Sequence, residues 1–117
     1  SLERYYLGAA LLIQGCKAAG DGGVARAELE GRSAATAERL ALTEGRQQQD
    51  LHDKHLFKGF VDRLIDHDYL REHDGLLNPS ARLGELERQA RAVLDERMRH
   101  AILRATLACT RQSVAKQ

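Results

Sequence analysis

Between residues 50 and 78 the apolar positions first keep a helical spacing and then change period. Leu56, Phe57, Phe60, Val61, Leu64 and Ile65 fall at i, i+1, i+4, i+5, i+8 and i+9, the stripe of an amphipathic helix. Asp50 stands at its N-cap position, and Asp53 adds negative charge to the first turn. From Tyr69 the pattern shortens. Runs at 69–72 and 76–78 flank His73-Asp74-Gly75, and an Asp-Gly pair between short runs signals a tight β-hairpin.

Upstream, residues 2–19 predict a first helix with Leu2, Tyr5, Tyr6, Ala9, Leu12, Ile13 and Cys16 on one face. Leu7, Ala10 and Leu11 make the opposite side apolar too. A helix that is apolar all round is either central or faces another domain. The pattern predicts that Leu7 and Leu11 pack on a domain outside this chain, and that the chain alone self-associates through them. Gly20-Asp21-Gly22-Gly23 reads as a loop. Residues 24–44 are helical with a weak point at Gly31-Arg32-Ser33, which predicts a short helix over 26–30 and a longer one over 33–44. Leu29, Thr36, Ala37 and Leu40 supply its inward positions, Gly45 ends it, and 46–49 form a polar connection.

After the hairpin, Asn78 or Ser80 is placed to cap a last helix from about 81 to about 110, with Pro79 suited to a first turn. Leu83, Leu86, Ala90, Val93, Leu94, Ala101, Ala105 and Ala108 form its inner face. The expected fold is mainly α: one winged-helix-like helical domain over 1–117, with one small β-hairpin at about 69–78 and a long C-terminal helix. Helix followed by hairpin resembles the second half of a winged helix.

Composition narrows this picture. In 117 residues, 43% hydrophobic and 30% charged content belongs to a soluble globular domain rather than a membrane-embedded one. Eighteen basic against seventeen acidic residues leave no global field to attract a polyanion. The apolar run 5–13 is too short to span a bilayer. A chain that begins at Ser1 is expected to be processed or cut from something longer. Cys16 and Cys109 lack CxxC spacing and read as reduced core thiols in a cytosolic setting, with a disulfide between terminal helices as the alternative.

Candidate chemistry is sparse. His52 and His55, with Asp53 beside them, have the spacing of half a zinc site, but no second ligand pair accompanies them. Asp62, Asp66 and Asp68 fall on the solvent side of the stripe among Lys58 and Arg63, the pattern of a solvated face. The glycine-rich loop lacks the Lys-Ser/Thr of a phosphate loop. A winged helix invites a DNA-binding reading. The surface of the helix before the hairpin, however, mixes Lys54, Lys58 and Arg63 with Asp53, Asp62 and Asp66, and the wing sets Arg71 against Glu72 and Asp74. A structural or protein-docking module suits those charges better. Beyond Glu96 no acidic residue follows, while Arg97, Arg99, Arg104, Arg111 and Lys116 are basic. These five either complement the helix dipole or rest on an anionic membrane surface.

Several stretches, in order, resemble one family. They are Arg4-Tyr5-Tyr6-Leu7 with Leu11-Leu12, Glu28-Leu29-Glu30 with Ser33, Ala37-x-Arg39-Leu40 with Gly45, Asp53-Lys54-x-x-Phe57, and Tyr69-Leu70. Together they resemble the C-terminal region of membrane-associated sn-glycerol-3-phosphate 1-O-acyltransferases, over most of residues 4–70. Residues 46–49 lack the proline usual there, and Leu51-His52 replaces an aromatic pair, which marks a divergent member. The resemblance implies a parent enzyme that uses acyl-CoA or acyl-carrier protein to make lysophosphatidate at the cytoplasmic face of a bacterial inner membrane. The family's catalytic signature is His-x4-Asp. Five residues after the histidines here stand Phe57, Phe60, Glu72, Asn78 and Ala105. No catalytic, cofactor-binding or metal-binding residue is therefore assigned, and no cofactor is expected. The resemblance implies a non-catalytic accessory domain that packs on, positions or regulates an upstream acyltransferase domain. A winged-helix DNA-binding regulator and a free-standing protein-interaction domain stay open as alternatives.

Overall fold

A computed structural model describes residues 2–45 and 54–115, and the fold is built around its first helix. Helix α1 (Leu2–Ala19) leads through strand β1 (Val24–Ala25) into α2 (Arg26–Glu44). Then come α3 (Lys54–Asp66), the hairpin β2 (Leu70–His73) and β3 (Leu76–Pro79), and two further helices, α4 (Leu83–Val93) and α5 (Glu96–Ala115). The sheet order is β1-β3-β2, antiparallel throughout. This is the predicted mainly α, winged-helix-like arrangement, with β1 adding an edge strand that periodicity did not reveal. Asp50, Asp53, His52 and the 46–49 connection lie outside the described residues.

Helix α1 packs against α2, α3, α4 and α5 together. Leu7 and Leu11 are 4% and 1% exposed, so the second face of α1 is closed inside this domain. The expectation that these two leucines meet an outside partner is overturned, because both side chains are buried within this chain. Two glycines seven residues apart allow the crowding. A β-carbon at Gly8 would overlap the Phe60 ring of α3, and one at Gly15 would stand 2.7 Å from Leu29 Cδ1 of α2. Lys17 pairs with Glu87 of α4, and the Tyr6 hydroxyl donates to Gln89 Oε1 at 3.2 Å.

The predicted break at Gly31 does not occur, and α2 runs unbroken. One helical glycine costs about 1 kcal/mol relative to alanine. Around it, Arg26 pairs with Glu30 and Arg32 with Glu28, each at 2.9 Å and one turn apart. Leu29, Ala37 and Leu40 are wholly buried, so packing holds both halves to one axis. The opposite error falls later. The single last helix is two, because Leu94 is extended (φ −87°, ψ 133°) and buried. Asp95 restarts the chain as an N-cap, its Oδ1 accepting the Met98 N–H at 2.8 Å. Val93, expected inside, is exposed.

Helix α3 buries Phe57, Phe60, Val61 and Leu64, with Leu56 and Ile65 on the flanks. Its end is a Schellman cap: the Tyr69 N–H reaches the Leu64 carbonyl at 2.8 Å and the Asp68 N–H reaches Ile65 at 3.0 Å. Asp68 takes the left-handed conformation there (φ 62°). The hairpin turns through Asp74 (φ 52°) and Gly75 (φ 76°), the paired positive angles of a type I′ turn. Ser80 does not cap α4; its hydroxyl donates to the Asp68 carbonyl and accepts the Arg82 N–H.

Candidate functional site

Helix α5 packs on α2 through small residues. Ala101 and Ala105 are buried, as is Ala37 on α2, and such residues let two helix axes approach closely. The outward half of α5 stays uncovered: Leu103 is 42% exposed and Leu107 59%. At about 100° per residue, Arg97, Arg104 and Arg111 recur every seven positions along one side of the helix. A groove of about 390 Å³ runs beside them, lined by Arg39, Thr43 and Glu44 from α2 and by Arg104, Leu107 and Arg111 from α5.

Its electrostatics are one-sided. Glu44 is largely buried, and its carboxylate pairs with the exposed Arg97 at 3.5 Å. Among the described residues no carboxylate pairs with Arg39, Arg104 or Arg111. The surface is thus a basic stripe beside two bare leucines. Such a combination suits an anionic, partly apolar partner.

The five-residue basic set divides. Arg97, Arg104 and Arg111 share the stripe. Arg99 lies about 200° round from Arg97 and is partly buried in a different cavity, between α1, α4 and α5. Lys116 lies outside the described residues. Arg39, which helix periodicity gave no reason to select, joins the stripe only because α2 is brought alongside α5.

The remaining candidates stay scattered. Asp62 is drawn into an ion pair with Arg26, whose guanidinium also reaches the Lys58 carbonyl at 3.2 Å. Asp68 holds Arg71 through both carboxylate oxygens, at 2.9 and 3.1 Å, and this hydrogen-bonding keeps its carboxyl below the usual range. His67 lies against the Tyr69 ring, and His73 faces Asp74 at 3.4 Å in full exposure. His55 is exposed on α3. Among the described residues no three His, Cys, Asp or Glu side chains form a metal-holding group. Cys16 and Cys109 are free thiols, and burial pushes Cys16 up to about 11.

A DNA-reading role finds little support on α3. Arg63 lies over the Tyr5 ring, 5.9 Å from its centroid, and Asp62 engages Arg26, so charges on the outward face serve the domain's own packing.

Comparison with known proteins gives the family. A family profile described as the glycerol-3-phosphate acyltransferase C-terminal region matches residues 1–73. The glycerol-3-phosphate acyltransferase of Ectopseudomonas mendocina (strain ymp) is 33% identical over 109 residues, covering 92% of this chain and 13% of its own length. That of Pseudomonas aeruginosa (strain UCBPP-PA14) is 34% identical over the same span, again 13% of its own length. The chain therefore spans only a small part of the curated relatives it matches. No solved structure matches it.

Proposed function

The chain belongs to the family of the glycerol-3-phosphate acyltransferase C-terminal region, and from that premise we propose that it is a non-catalytic domain of a longer acyltransferase. In this reading it packs on, positions or regulates a catalytic domain elsewhere in the protein, which joins an acyl group to glycerol 3-phosphate. The observation that carries it is the proportion: 92% of this chain aligns with 13% of relatives named for that enzyme. The absence of a His-x4-Asp spacing in the sequence supports the same division of labour.

The proposal extends to location. The stripe of Arg97, Arg104 and Arg111, with Arg39 beside it and Leu103 and Leu107 bare, faces an anionic membrane surface on the cytoplasmic side. Each arginine near such a surface contributes about 1 kcal/mol, and two leucines add apolar contact. No helix among the described residues is long and apolar enough to cross a membrane. Attachment would therefore be peripheral for this part.

Two measurements test the reading. Incubated with glycerol 3-phosphate and a long-chain acyl-CoA, the chain should form no lysophosphatidate above a heat-killed control; turnover would overturn the non-catalytic role. In flotation, the chain should bind phosphatidylglycerol-containing vesicles, release at high salt, and lose binding when Arg97, Arg104 and Arg111 become Gln. Equal binding to neutral phosphatidylcholine vesicles would overturn the electrostatic docking.

A further inference from the structure

Arg99 carries an unusual feature for an arginine. Its Nε is buried and makes no hydrogen bond among the described residues. A buried guanidinium N–H without an acceptor costs free energy, and the group is a strong donor to oxyanions. Arg99 lines a surface cavity of about 260 Å³ between α1, α4 and α5. Arg91 of α4 and Gln14 of α1 line it as well. The cavity's one carboxylate, Glu87, is taken by Lys17, and His100, which also lines the cavity, stands 3.9 Å from Glu96. Apart from His100, the remaining wall is apolar: Ala10, Ile13, Ala90, Leu94, Ile102 and the half-exposed Leu103.

The two halves of this lining ask for different chemistry. Unpaired arginines and an amide select an oxyanion, and the apolar wall selects hydrocarbon. A cavity of this size takes an anionic head and a short chain. We propose that this cavity binds a small anionic amphiphile, its carboxylate or phosphate head on Arg99 and Arg91 and its tail along Ile13, Leu94 and Ile102. The site is assembled from three helices and lies round α5 from the basic stripe. It rests on this cavity alone, so losing the acyltransferase or membrane reading leaves it standing.

The test is a ¹H–¹⁵N NMR titration of the chain with four probes: hexanoate, hexyl phosphate, hexanol and inorganic phosphate. Saturable shifts at Gln14, Arg91 and the Arg99 side chain are expected for one or both anionic amphiphiles, and the tighter of the two identifies the head. Hexanol and inorganic phosphate should each bind at least about tenfold more weakly. Arg99→Gln should weaken the amphiphile about tenfold or more, as expected for a lost hydrogen bond to a charged group. Because Arg99 is partly buried, the exposed Arg91→Gln provides a second variant whose amide spectrum should otherwise be unchanged. Arg104→Gln should leave the affinity unaltered. Hexanol binding as tightly as hexanoate and hexyl phosphate would overturn the charge assignment, and phosphate binding as tightly would overturn the tail. Shifts confined to the α2–α5 groove, or unaltered affinity in both arginine variants, would overturn the site.

Discussion

Helices α1 and α5 are 18 and 20 residues long, yet their apolar residues have opposite fates. Helix α1 is apolar on every side and is enclosed by four other helices. Helix α5 is less apolar, buries Ala101, Ile102 and Ala105, and leaves Leu103 and Leu107 bare between charged neighbours. Apart from Leu2 at its first turn, which is 65% exposed, the helix richest in hydrophobic residues is therefore not the one with apolar surface to spare. What decides the matter is how many neighbours a helix has, and four helices pack against α1.

Within α1, Leu12→Ala is expected to cost about 2–5 kcal/mol because the side chain is wholly buried. Leu7→Glu with Leu11→Glu should go further and unfold the chain, as two charges enter a closed interior. A folded double variant by circular dichroism would mean that one side of α1 is free after all. Next comes Gly8→Ala. Helix propensity favours it by about 1 kcal/mol, but the methyl meets the Phe60 ring, and overpacking of this kind costs about 1–3 kcal/mol. A net loss in urea midpoint is expected. At Gly31, where a methyl meets nothing, the same change should gain up to about 1 kcal/mol.

Alkaline pH probes the interior of α1 by another route. Cys16 keeps its proton in the folded state up to about 11 because burial penalises the thiolate, whereas an unfolded thiol loses it near 9. Above that lower value the unfolded chain holds fewer protons, so stability falls as pH rises, by about 1 kcal/mol between pH 9 and 10. Tyr5, raised by burial and then by Tyr69 and Tyr6, pulls in the same direction. The Cys16 part is thus the difference from Cys16→Ala across that range. An identical pH slope in both proteins would place Cys16 in water. The smallest effect belongs to α5: Leu107→Ser should shift stability by less than about 0.5 kcal/mol while weakening vesicle flotation. A loss comparable to that of Leu12→Ala would erase the contrast between the two helices.

Family membership divides the chain along similar lines. The profile ends at residue 73, inside the hairpin, and omits α4 and α5. Yet β3 is the central strand, pairing with both β1 and β2, and α4 and α5 close over α1. The part with the weaker family signature is structurally inseparable from the rest. It also contributes residues to both surfaces proposed for binding.

Features written in short-range chemistry were legible in the residues alone. The α3 stripe, the Asp74-Gly75 turn and the mainly helical class all depend on spacings of a few positions, where side-chain periodicity and positive φ act directly. The stop at Leu94 was not legible, because the apolar pattern of the expected single helix continues on both sides of Asp95. Other features had no local cause. Strand β1 is two residues that become a strand only because Leu77 and Leu76 lie beside them. Gly31 stays helical because ion pairs and packing outweigh one glycine's cost. Which side of α1 faces inward, the joining of Arg39 to Arg104 and Arg111, and the separation of Arg99 from that stripe were all set by helix packing. Periodicity names a face, and only the neighbours that arrive from elsewhere in the chain decide whether that face meets protein or water.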